Sequence, residues 1–115
     1  MLKTLLTRKK WLTFTQYSDT FLEQISRTRS RNTILSYRQV LRRAADRWDG
    51  LLICEITKSM VKSYMSELQD IYKYSTVCLH FDMLRNVFRA AAEDDIICNS
   101  PMQGMKKPMR RKDDA

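Results

Sequence analysis

The sequence predicts an all-α protein, a compact orthogonal bundle of four main helices followed by a basic C-terminal tail. Apolar residues recur at three- and four-residue spacing in four separate segments. Only 2 glycines and 2 prolines occur in 115 residues, too few for the tight turns of a sandwich or barrel. No alternating apolar pattern of useful length is present, so essentially no sheet is expected.

The first helix is carried by Phe14, Tyr17, Phe21 and Ile25, with Leu22 beside them. Thr13 or Thr15 can cap it, and Arg27-Thr28-Arg29 closes it. Ser30 is the expected N-cap of the second helix, whose inner face is Tyr37, Leu41, Ala44 and Trp48, flanked by Ile34 and Ala45. Gly50 suits the left-handed C′ position that ends it. Leu51-Leu52-Ile53 with Ile56 reads as a buried connection. Thr57 then caps a third helix that turns Val61, Tyr64, Met65, Leu68 and Ile71 inward. The fourth helix is expected to start near Ser75, with Val77, Phe81, Leu84, Phe88 and Ala91 inward. Glu93-Asp94-Asp95 are poorly placed at a helix C-terminus, whose dipole prefers cations, and read as a fraying end. Ile96 and Ile97 should return to the core before Asn99-Ser100-Pro101 breaks any further helix.

Composition narrows the function classes. The 21 Lys and Arg against 13 Asp and Glu give a net charge of +8, which points to a polyanionic partner. A hydrophobic fraction of 43% excludes a disordered basic tail. The 3 cysteines, Cys54, Cys78 and Cys98, share no motif spacing and read as reduced core thiols of a cytoplasmic protein. With the single histidine, His80, they form no plausible zinc set, and no metal or other cofactor is expected. No apolar run approaches the ~18 residues of a membrane span. The N-terminal stretch MLKTLLTRKKWL is basic but lacks the apolar core and cleavage site of a secretion signal.

The positive charge is concentrated. Between Arg27 and Arg47 lie 7 arginines and a single acid, Asp46. On a helical wheel Arg31, Arg38 and Arg42 share one flank of the second helix, while Asn32, Gln39 and Arg43 share the other. Such a stripe can be merely a solvated face. Here the cations are arginines, few acids interrupt them, and Arg29, Ser30, Arg31, Asn32 and Thr33 cluster at a helix start, where free backbone N–H groups attract anions. Lys73, Tyr74, Ser75 and Thr76 repeat that arrangement on a smaller scale. One turn further on, His80 lies at the edge of the apolar stripe and reads more readily as a half-buried surface residue than as a contact residue. Asn32, Gln39 and His80 are the candidates for contacts to base edges. Arg85 and Arg89 could face solvent or phosphate, and Lys106, Lys107, Arg110, Arg111 and Lys112 make up the basic tail.

Taken in order, these landmarks resemble the core-binding domain of tyrosine recombinases, the SAM-like module of the phage-integrase type. The resemblance rests on Phe14, Tyr17, Phe21 and Leu22, then Ser30 with Thr33-x-x-x-Tyr37-x-x-x-Leu41. It continues through Ile56-Thr57 to Val61, Tyr64 and Leu68, and through Ser75-Thr76-Val77 to Leu84-Arg85, Phe88 and Ala91. Ile96-Ile97-x-Asn99-x-Pro101 and Met105-Lys106-Lys107-Pro108 complete it over residues 13–108. Ser100 separates Asn99 from Pro101, where many relatives have Asn-Pro.

The resemblance implies a module that clamps duplex DNA at a core site while a separate catalytic domain of the same polypeptide cuts the strand. On that reading residues 1–12 are an N-terminal extension, 13–101 the DNA-binding helical domain and 102–115 a basic linker. The module itself would be no enzyme: the catalytic arginines, lysine, histidine motif and nucleophilic tyrosine of the family have no counterpart here. It would be monomeric alone and oligomeric on DNA in a full-length protein, with no membrane partner. A truncated remnant acting as a regulator, or a basic helical domain that binds proteins or membrane surfaces, are the alternatives.

Overall fold

A computed structural model describes residues 11–110; the first ten residues and Arg111 and Lys112 of the tail lie outside the described residues. Within them the α-helices are α1 (Phe14–Ile25), α2 (Arg31–Arg47), α3 (Lys58–Ile71) and α4 (Tyr74–Glu93), with a short 3₁₀ turn at Ile53–Glu55. The chain is an all-α compact bundle, as the periodicity predicts.

Of the two candidate caps of α1, Thr13 is used. Its Oγ1 accepts from the Gln16 N–H at 3.1 Å, and Gln16 Oε1 accepts from the Thr13 N–H at 3.0 Å. This reciprocal box satisfies two otherwise orphaned donors. The Phe14 N–H donates to Leu51 O, and the Ile53 N–H to Leu12 O, so the start of α1 is tied to the connection after α2. Ser30 and Thr57 cap α2 and α3 through Thr33 N–H and Met60 N–H, as expected.

α4 is the central element, packed against α1, α2 and α3. It buries Val77, His80, Phe81, Met83, Leu84, Val87, Phe88 and Ala91, a wider arc than the expected stripe. A helix covered on several sides by neighbours must be apolar over most of its circumference. Trp48, the C-cap of α2, joins the other three helices within the core. Its ring meets Phe14 edge-on at 5.1 Å and lies 5.1 Å from Tyr64 and 6.0 Å from Phe88.

Several local expectations are corrected. Ile71 is 59% exposed, not inward. It occupies the last turn of α3, where the chain is already leaving for α4, and Tyr72 packs against the core. α4 begins at Tyr74 and its N-cap is Lys73, which makes no side-chain cap bond; Ser75 lies inside the first turn. Gly50 does adopt positive φ, but two residues beyond the Trp48 cap, in a turn closed by Leu51 N–H to Trp48 O. Cys54 and Cys98 are exposed and Cys78 is half-buried, so these free thiols are not core residues.

The acidic end of α4 is held, not frayed. Asp94 accepts from the Tyr17 hydroxyl at 3.2 Å and from Gln24 Nε2 at 3.5 Å. Burial first, and then the Asp94 charge, push the Tyr17 phenol well above its ordinary pKa. Asp95 takes a left-handed conformation, φ 62°, and the turn returns Ile96 and Ile97 to the core. The packed body then continues past Pro101: Met102 is buried and Met105 packs against the core. Those two methionines fall in the stretch expected to be linker.

Candidate nucleic-acid interface

The residues singled out from sequence fall into three places. The first is the start of α2, where Arg29, Ser30, Arg31 and Asn32 are exposed and Thr33 half-buried. Ser30 Oγ is engaged by the Thr33 N–H at 3.3 Å and the Thr33 hydroxyl at 3.0 Å. The Arg31 and Asn32 N–H groups have no partner among the described residues, which leaves them free for an anion.

The second place lies roughly 16 Å further along the α2 axis, at 1.5 Å per residue. There Gln39, Arg42 and Arg43 meet Thr76, Leu79 and His80 of α4 across a cleft of about 460 Å³. Tyr72 closes one side: its ring stacks on His80 at 5.6 Å, and the Arg43 guanidinium stands 5.0 Å from its centroid. Arg42 also faces the groove between α2 and α1, which Arg38 lines with Thr15 and Asp19. At the mouth of α4, Lys73 and Ser75 are exposed. The Tyr74 and Ser75 N–H groups are unpaired among the described residues.

Lys106 and Lys107 belong to a third place, on the side of α4 away from α2. Lys106 lines a groove with Lys58, Lys62 and Gln69 of α3, while Lys107 pairs with Asp82 at 3.2 Å. The chain there is strapped down further by Gln69 Nε2 donating to Met109 O, and by Arg110 over the Tyr74 ring at 4.8 Å. Asp82 also holds Arg85 at 3.4 Å, whose guanidinium lies over Phe81.

The electrostatics differ among these places. Of the 7 arginines between Arg27 and Arg47, only Arg47 is ion-paired among the described residues, to Glu67 at 2.8 Å. That exposed pair ties the end of α2 to α3 and holds the Glu67 carboxyl below its usual range. The other arginines keep their charge available.

His80 is far more enclosed than its position at the stripe edge suggests. It is 7% exposed, and its Nδ1 is buried without a hydrogen-bond partner. Burial, and then the nearby Arg43 charge, lower its pKa below the ordinary value near 6.5. The unfolded chain therefore takes up a proton first as pH falls, and stability is lost as pH drops below about 6.5. We expect the urea midpoint to be lower at pH 5.5 than at pH 7.5. The difference should vanish in His80→Gln, because no other side chain has its ordinary pKa in that interval.

Tyr72, Lys58 and Lys62 were not among the residues expected in a site. Tyr72 ends α3 and has no periodic signature of its own. The two lysines are one turn apart on α3, and only the returning C-terminal strap gives them a common neighbour.

A family model described as the phage integrase SAM-like domain matches residues 13–108. No curated protein and no solved structure matches the chain. Among the described residues no helix is long and apolar enough to cross a membrane.

Proposed function

The chain belongs to the phage integrase SAM-like domain family, and from that premise we propose that it is a duplex-DNA-binding module of a site-specific recombinase. The observation that carries this reading is the run of α2 arginines left without acidic partners among the described residues. An unpaired guanidinium beside free helix-start N–H groups suits a phosphate oxygen, because both supply donors and positive potential to a fixed anion. The module would hold the core site mainly through the backbone, with Asn32 and Gln39 as the candidates for reading base edges. A catalytic domain of the same polypeptide would cut the strand, and copies would assemble on DNA. The protein would work in the cytoplasm.

We assign strand cleavage to another domain because four of the five tyrosines are poorly disposed for it. Tyr17, Tyr37 and Tyr64 are buried in the core, and burial pushes the Tyr64 phenol up to about 12. Arg43 and His80 approach Tyr72 at its ring face, not its hydroxyl. Nucleophilic attack on a phosphodiester needs an activated oxygen and cations around the developing charge. Incubation with supercoiled DNA should yield no nicks and no covalent adduct; a phosphotyrosyl linkage to any tyrosine of this chain would overturn that part of the proposal.

The binding itself is tested by titrating a short duplex, and separately anionic vesicles, at several salt concentrations. We expect duplex binding that weakens steeply with salt, each phosphate contact adding about 0.9 to the log–log slope. Vesicle binding without duplex binding would overturn the reading in favour of a membrane-surface domain.

A further inference from the structure

We propose that the cleft between α2 and the start of α4 is a proton-linked phosphate subsite, in which His80 takes up a proton from solvent as a backbone phosphate enters beside Arg42 and Arg43. This inference rests on the DNA-binding reading and adds to it a specific subsite and a dependence on pH.

The geometry supplies three elements. The cleft is large enough for a phosphate group, at about 460 Å³. Its walls carry two guanidinium residues, Arg42 and Arg43, with Thr76 and Gln39 as further hydrogen-bonding residues and Leu79 as an apolar one. Also lining it is the imidazole of His80, more than nine-tenths buried, whose Nδ1 is enclosed by the packing without a partner. Such enclosure leaves the ring poorly solvated, so its charge state depends on what enters the cleft beside it.

The charges around His80 explain the linkage. Arg42, Arg43 and Asp46 of α2 line the cleft with it, Arg43 being the charge that acts on the ring, and Tyr72 of the α3–α4 connection stacks on it. Asp46 is the single acid lining the cleft and forms no ion pair with these groups among the described residues. In the empty cleft a protonated imidazole would therefore stand desolvated beside like charge, which is unfavourable. A phosphate between the guanidiniums and the ring reverses that balance. It screens Arg43, supplies an opposite charge and accepts a hydrogen bond from the imidazolium. Anion binding and protonation of His80 must then favour each other equally, because linkage is reciprocal.

His80 is the single histidine of the chain, so its ring signal in proton NMR reports on this site without assignment by mutation. The ring is titrated over pH 5–8 in the full chain alone, with a saturating short duplex, and with inorganic sulfate, an anion that does not itself titrate in this range. In parallel, duplex affinity is measured from pH 7.5 to 5.5 at fixed salt for the unmodified chain and for His80→Gln. We expect duplex to raise the His80 pKa and affinity to increase on acidification. The full span should be about tenfold in affinity for each unit of pKa rise, and the profile of His80→Gln should be flat. Salt-sensitive duplex binding with an unmoved His80 pKa would overturn the subsite and leave the DNA-binding reading standing. A rise with sulfate in a chain that does not bind duplex would support the anion cleft and overturn DNA as its source. An unmoved pKa with both probes and no duplex binding would overturn both.

Discussion

Trp48→Ala is expected to lower the folding free energy by about 3–5 kcal/mol, the usual range for truncating a fully buried large aromatic. The indole is 1% exposed and sits among Phe14, Tyr64 and Phe88, which come from three different helices. Truncation would leave a cavity bounded by α1, α3 and α4 at once, and no single helix could shift to fill it without losing contacts elsewhere. In a domain whose total stability is of order 5–15 kcal/mol, such a loss is a large share. Urea unfolding followed by far-ultraviolet circular dichroism reads it as a lower midpoint at unchanged slope. Phe81→Ala should behave similarly, since that ring is also fully buried. A change below about 1 kcal/mol at Trp48 would mean that the ring does not join the helices as described.

Replacing Arg31 and Arg38 together by Ala should weaken duplex binding across all sequences and shrink the log–log salt slope by roughly 1.8, two counterion-release events. The two arginines are seven residues apart, two turns along one flank of α2 and roughly 10 Å apart along its axis. Both are exposed and neither is ion-paired among the described residues, so their removal should leave the fold intact. Arg43 is a poorer choice for this test because its guanidinium rests on Tyr72, and truncation would mix packing with charge. A base-reading residue would behave differently: Asn32→Ala or Gln39→Ala should lose about 1–3 kcal/mol of discrimination at one position while leaving the slope nearly unchanged. An unaltered slope in the arginine double variant would show that this flank does not touch the backbone.

Much of the candidate interface was legible in the sequence because charge density is a local property. The arginines of α2 and the Ser30 cap are where periodicity and capping chemistry put them, and the free donors of α4 begin within one residue of the expected start without a side-chain cap. What could not be read was which of these groups share a surface. From charge alone Lys106 and Lys107 read as part of a basic tail. The chain's return along α3 puts them on the other side of α4, where one of them is neutralised by Asp82. His80 shows the converse case. Its wheel position marked it as an edge residue, and only the approach of α2 and Tyr72 encloses it.

The sequence by itself determined the helical class, four amphipathic segments, three of the helix starts and the concentration of arginine on α2. Each follows from interactions within about one turn of helix, where side-chain spacing and cap hydrogen bonds act directly on the local backbone. Tertiary structure alone decided that Asp94 is held by Tyr17, that Ile71 faces solvent, that Met102 belongs to the core and that His80 is buried. Those outcomes depend on partners brought from distant positions, as with Tyr17 and Asp94, or on where a neighbouring helix stops, as at Ile71. A single-helix pattern specifies which face is apolar, but the burial of residues at the margin of that face is set by what packs against it.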